Sequence, residues 1–335
     1  MDSFDHYLSA DIAEKYTIGT GAVISTSTGR RSGGAMVCAA SDRVLKTFVS
    51  ASATVIVGFA LKESGSFPGS IADIFRIGHG ASPQVSLAID TSGYLRVYRG
   101  LVSGTLLGTS SSPISASAYQ HIELKVAIHA STGTVDVRID GTNVLSLSSQ
   151  NTSGSGSAAW DYVTIGNTNL GANTLTYDDL YLLDGSGSSP WNDFLGDCRV
   201  DARRPTAEGN SSSWTPLSGS DNALMVDETT PDDDTTYNST ATVNHVDTHV
   251  VNDAPVVGAT LYGVQVCVST KKSDAGAGAL APVVRHSSTD YAGTAVNIGT
   301  GYAYVTQTYG LNPGTSAAWV EADFNAAEFG YKRTA

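Results

Sequence analysis

Five carboxylates crowd the stretch MVDETTPDDDTTYNST at positions 225–240: Asp227, Glu228, Asp232, Asp233 and Asp234. Clustered acids are the raw material of metal sites and of paired catalytic carboxyls. Here Asp232, Asp233 and Asp234 are consecutive, follow Pro231 and lie in a run without strand alternation, so one ion can use only some of them. Blocks of like charge usually lie in solvent. The stretch therefore reads as part of an extended arm, with Arg199, Arg203 and Arg204 as charge partners across an assembly contact. Retaining glycoside chemistry needs two carboxyls about 5–5.5 Å apart, which strand residues two apart can supply. The nearest match, Glu321-Ala322-Asp323, is followed by Asn325 rather than a third acid and falls in a helical pattern. Asp178 and Asp179 are adjacent, so they point to opposite faces of a strand and cannot work as a pair.

Calcium takes six to eight oxygens. Asp161, Asp178, Asp179 and Asp184 stand near strand ends as candidate donors, with solvated strand-end acids as the plainer reading; no other cofactor is expected. The seven histidines show no HExxH or His-x-His spacing. His245 and His249 lie in a β-type stretch and read as surface residues. No Gly-x-Ser-x-Gly elbow and no P-loop is present. Tyr94, Tyr98 and Trp160, with Tyr119 and Tyr162, can stack a sugar or fill a sandwich core.

The elements that would position these groups are strands. In TVIVGFALKE, Val55, Val57, Phe59 and Leu61 fall on one face. In HIELKVAIHA, Ile122, Leu124, Val126 and Ile128 point inward, while His121, Glu123, Lys125 and His129 point to water. TVDVRIDGTNVLSLS turns at Asp140-Gly141, a strong hairpin signal. Such alternation, with turns every ten or so residues, marks antiparallel sheets packed as a sandwich. The run Gly185 to Pro190 reads as a linker, and FLGDCRVDARRPT as one strand beyond it. Further strands follow in ATLYGVQVCVSTKK, APVVRHSS, TAVNIG and YAYVTQTYG. WVEADFNAAEFGYK is the one convincing helix, with Gly330 at its C-cap, before a final strand.

Composition sets the outer limits. The 335 residues suit two domains, with 41% hydrophobic residues for their cores. A net charge of −13, from 32 acids and 19 bases, disfavours nucleic acid as a partner. Three scattered cysteines suggest idle thiols in a reducing cytosol. The N-terminus lacks a secretory pattern, and no apolar run approaches the ~20 residues of a membrane span.

The stretch 119–148, YQHIELKVAIHASTGTVDVRIDGTNVLSLS, resembles the paired strands of laminin-G or concanavalin A-like jelly rolls. WDYVTIGNTNLGANTLTYDDLYLLDGSG, at 160–187, resembles their closing strands, which in that family pair with an N-terminal strand, here DSFDHY. From Asn192 onward the order of segments is similar to virion proteins of tailed bacteriophages. The resemblance implies a virion structural protein: a tail, fibre or capsid appendage, made in the host cytoplasm.

The expectation is an all-β chain. A concanavalin A-like jelly roll occupies 1–187, a linker strand and extended acidic arm 188–248, and a smaller β-sandwich with one short C-terminal helix 249–335. Its expected role is non-enzymatic. It assembles with other virion proteins, as a homo-oligomer, without nucleic acid or membrane. The alternative is a carbohydrate-binding adhesin for a host-surface glycan, and behind that a glycoside hydrolase.

Overall fold

The computed structural model describes residues 1–166, 171 and 173–335. Positions 167–170 and 172, inside the stretch assigned to closing strands, lie outside the described residues. The chain is all-β, and it divides into two compact units, Met1–Val200 and Asp201–Ala335. Among the described residues, no helix is long and apolar enough to cross a membrane. None of the three cysteines forms a disulfide.

The first unit is a jelly-roll sandwich of two seven-stranded antiparallel sheets. One sheet runs Thr142–Gln150, Gly133–Ile139, Gln120–Ala127, Thr54–Glu63, Leu175–Leu183, Ala35–Cys38, Val23–Ser25. We call it the front sheet. The back sheet is built around Trp160–Gly166 and Ala72–His79. Alternation sorts the side chains as the sequence suggests. Val55, Val57, Phe59 and Leu61 are buried, and Phe59 meets Phe75 of the back sheet at 5.8 Å between ring centroids. The Tyr177 hydroxyl crosses the core and donates to the Ile74 carbonyl at 2.9 Å. The hairpin at Asp140-Gly141 turns through two left-handed residues, φ 48° and 76°, as a type I′ turn requires.

The N-terminus is tied into the front sheet. Asp2 and Leu180 exchange backbone hydrogen bonds of 2.8 and 2.9 Å. The Asp2 carboxylate is buried and accepts from Tyr7 and Tyr16 at 2.9 and 2.8 Å, with Lys15 at 3.0 Å. Burial alone would raise its pKa; Lys15, His6 and the Phe4 N–H outweigh that and hold it well below the ordinary carboxylate range.

The second unit has a six-stranded sheet, Pro205–Ser212, Val246–Val251, Glu328–Arg333, Ala279–His286 and Thr289–Ala292, with Val296–Asn297 also paired to Ala279–His286. The antiparallel pair Val264–Thr270 and Ala303–Tyr309 packs on it. Val266, Val284, Trp319, Phe324 and Phe329 form the core between them.

Three expectations change. The division between units falls after Val200, so residues 188–200, assigned above to a linker strand, belong to the first unit. Residues 194–204 form no strand, because the N–H groups of Leu195, Gly196 and Val200 go to side chains instead of a neighbouring ladder. The C-terminal helix is only Glu321–Ala326, and Gly330 is not its cap. Gly330 sits inside Glu328–Arg333, where a Cβ would lie 1.9 Å from the Asp247 carbonyl oxygen.

Replacing Asp2 by Asn should cost about 3 kcal/mol near pH 7, since it leaves Lys15 buried without its counter-charge. The folded carboxyl titrates below the unfolded one, so its contribution is present above about pH 4 and drains away on further acidification. Denaturant titrations at about pH 7 and pH 3 check this. The gap between wild type and variant should narrow at the lower pH; a constant gap contradicts the assignment.

Candidate functional site

The outward face of the front sheet carries two polar rungs across its central strand. Gly58 pairs with Glu123 on one side and Tyr181 on the other. One rung along, Ala60 pairs with His121 and Asp178. Side chains of paired residues project to the same face. The two small residues, Gly58 and Ala60, therefore form the floor of a trough, with ionisable groups as its walls.

Glycine is required at the first rung. A Cβ on Gly58 would lie 2.1 Å from Tyr181 Cε1 and 2.9 Å from His121 Cε1. Across this floor the Tyr181 hydroxyl donates to Glu123 Oε1 at 2.6 Å. The same oxygen accepts the Gly196 N–H at 2.8 Å. The His121 ring stacks on Tyr181, with centroids 6.2 Å apart and planes 21° apart. His121 and Glu123 are both 0% exposed. Among the described residues, neither His121 ring nitrogen nor Glu123 Oε2 has a hydrogen-bond partner. Burial pulls the His121 pKa down to about 4, so the imidazole is neutral near pH 7. Burial, and then the Glu123 carboxylate, push the Tyr181 phenol far up.

Asp178 and Asp179 both approach Arg30 instead of pointing to opposite faces. The register slips between Asp178 and Tyr181, and Asp179 adopts φ 52°, so the strand bulges. Both carboxylates then turn to Arg30: its N–H donates to Asp178 Oδ2 at 2.6 Å, and its guanidinium lies 3.5 Å from Asp179 Oδ2. Burial, and next the Asp179 charge, raise the Asp178 pKa to about 7.

The remaining candidates separate. Asp161 accepts the Gly80 N–H on the back sheet, and Asp184 caps Ser186, so the four calcium candidates do not converge. Among the described residues, no group of three or more His, Cys, Asp or Glu is placed to hold a metal. Trp160 is buried and donates to the Thr54 carbonyl; Tyr98 is buried and Tyr94 half-buried, both on the back sheet. In the second unit Asp234 pairs with Lys271 at 2.6 Å and accepts from Tyr302, while Asp232 holds Thr236. Asp233 occupies a left-handed turn position, φ 57°. Arg203 lies 3.8 Å from Asp201, and Arg204 donates to the Thr229 carbonyl. Arg199 is exposed at the end of the first unit. Within the acidic run it is Asp234 that pairs with Lys271 and Tyr302. Glu321 accepts from Gly258 and Asp323 from Asn312, so they form no catalytic pair. His249 is buried against Tyr331 rather than on the surface.

The sequence places His121 and Glu123 on the correct face but in water, and it does not mark out Tyr181, which meets both. The usable signal was the alternation of small residues in VGFALK, which leaves a floor between two polar-faced strands.

No protein-family model and no curated protein matches the chain. Among solved structures it is similar to the cellulose-induced protein Cip1, with 14% identity over 50% of this chain and 86% of that one, TM-score 0.38. It is also similar to the alginate lyase Aly36B, with 17% identity over 54% and 92%, TM-score 0.37. A Trypanosoma rangeli sialidase matches with 10% identity over 49% and 27%, TM-score 0.35. Two of these three are named as enzymes, an alginate lyase and a sialidase. The expectation of a non-enzymatic virion building block is corrected accordingly.

Gly58→Ala should destabilise the first unit by about 1–3 kcal/mol through overpacking and break the Tyr181–Glu123 bond. Gly69, where a Cβ meets nothing within 4 Å, is the control and should tolerate alanine. Thermal unfolding of both variants decides; equal, small shifts would remove Gly58 from its role.

Proposed function

We propose that the first unit binds a saccharide chain along the trough of its front sheet and acts on it by general acid–base chemistry. The observation that carries this reading is His121: wholly buried, neutral, with no hydrogen-bond partner at either ring nitrogen, beside a Tyr181 hydroxyl held by Glu123. Buried polar groups are normally satisfied, and exceptions call for a functional account. Titratable groups with strongly shifted pKa values, gathered on one face, are the usual mark of a reactive site.

The roles follow from protonation. Neutral His121 has a ring nitrogen able to take a proton from the reacting sugar or from water. Tyr181 has a proton to give to the leaving glycosidic oxygen, and Glu123 orients that hydroxyl. Asp178, with a pKa near 7, is poised to exchange a proton one rung away.

The test incubates the full chain with alginate, polygalacturonate, xylan and cellulose and follows new reducing or unsaturated ends. His121→Ala and Tyr181→Phe should each lower turnover by about 10²–10⁴ while the fold, read by circular dichroism, is kept. Binding without turnover would keep the saccharide and remove the chemistry. Absence of both, or variants that cleave like wild type, would overturn the reading.

A further inference from the structure

In this structure the trough is filled by the chain itself, and we propose that residues 191–200 are a releasable strap that occupies it as an intramolecular stand-in for an acidic saccharide. This rests on reading the trough as the saccharide face. Three backbone N–H groups of the strap engage the walls: Leu195 to the Tyr181 hydroxyl at 3.2 Å, Gly196 to Glu123 at 2.8 Å and Val200 to Asp179 at 2.8 Å. Two strap carboxylates sit on cations at the rim. Asp193 meets Lys125 at 3.1 Å. Asp197 takes a bidentate contact from Arg30 at 2.5 and 2.7 Å, with Arg31 at 3.7 Å.

Two observations separate this strap from a permanent cover. No residue from 191 to 200 is itself buried, although His121 and Glu123 beneath it are wholly so. Its apolar side chains Trp191, Phe194 and Leu195 are only half-buried, with the Arg138 guanidinium 4.3 Å from the Phe194 ring centroid, and a segment without a fully buried apolar anchor opens at low free-energy cost. The strap also leaves both His121 nitrogens and Glu123 Oε2 unsatisfied. A sugar carrying carboxylates can take over the Lys125 and Arg30 contacts, and its hydroxyls can meet the atoms the strap leaves bare. The anion seats thus specify an acidic chain over a neutral one.

The test compares the full-length wild type with the double variant Asp193→Asn, Asp197→Asn. It reads backbone hydrogen exchange at 191–200 and calorimetric affinity for a polygalacturonate hexamer and for cellohexaose. In the variant, exchange at the strap should quicken, and the acidic hexamer should bind about tenfold more tightly because less is spent displacing the strap. Affinity for cellohexaose should remain lower than for the acidic hexamer. Strap exchange that is equally slow in both proteins, with the hexamer bound equally well, overturns the strap and leaves the saccharide reading intact. Faster exchange with neither saccharide bound by either protein overturns both the stand-in role and the saccharide reading. Retained circular dichroism in the variant ensures that the comparison is between folded proteins.

Discussion

The contact between Tyr181 and Glu123 spans a whole strand, and it exists only because Gly58 lies between them without a side chain. From this absence the rest of the site follows. The aromatic ring lies low over the sheet, where His121 can stack on it. Ala60 extends the floor by one rung, between His121 and Asp178. On the opposite side of the same strand, Val57, Phe59 and Leu61 anchor the sandwich core. One strand therefore serves two environments, apolar below and ionisable above, and its rigidity fixes the geometry of both.

Burial of the ionisable face is supplied from outside the sheet. An imidazole in water keeps its ordinary affinity for protons; here loss of solvent keeps His121 neutral well below the ordinary histidine range. The segment that removes the solvent contributes donors to Tyr181 and Glu123 but nothing to His121. A cover that desolvates a group without satisfying it spends stability that a purely structural design would keep. That imbalance links the chemistry of the trough to the mobility of what covers it.

Much of the scaffold was legible in the sequence, because period-two burial is a local property. Ile122, Leu124 and Val126 declare their face within eight residues, and Asp140-Gly141 declares its hairpin. The site was legible only in part. The environment of His121 depends on a segment about seventy positions downstream, which no local pattern reveals. The convergence of Asp178 and Asp179 depends on a bulge, a one-residue slip that reverses the strand rule used to separate them. Gly330 carried a helix-cap signature, yet it is needed for close approach to the Asp247 backbone. In the acidic run at 232–234, Asp234 pairs with Lys271 and Tyr302 of its own unit and Asp232 holds Thr236, contacts that no local pattern announces.

An NMR pH titration of the His121 ring, in the full chain, tests the central claim most directly. A buried, neutral, unpartnered imidazole should hold its unprotonated shifts through the ordinary histidine range and titrate only near pH 4. A midpoint near the free value of about 6.5 would place the ring in water. The trough would then be neither closed nor poised as described here.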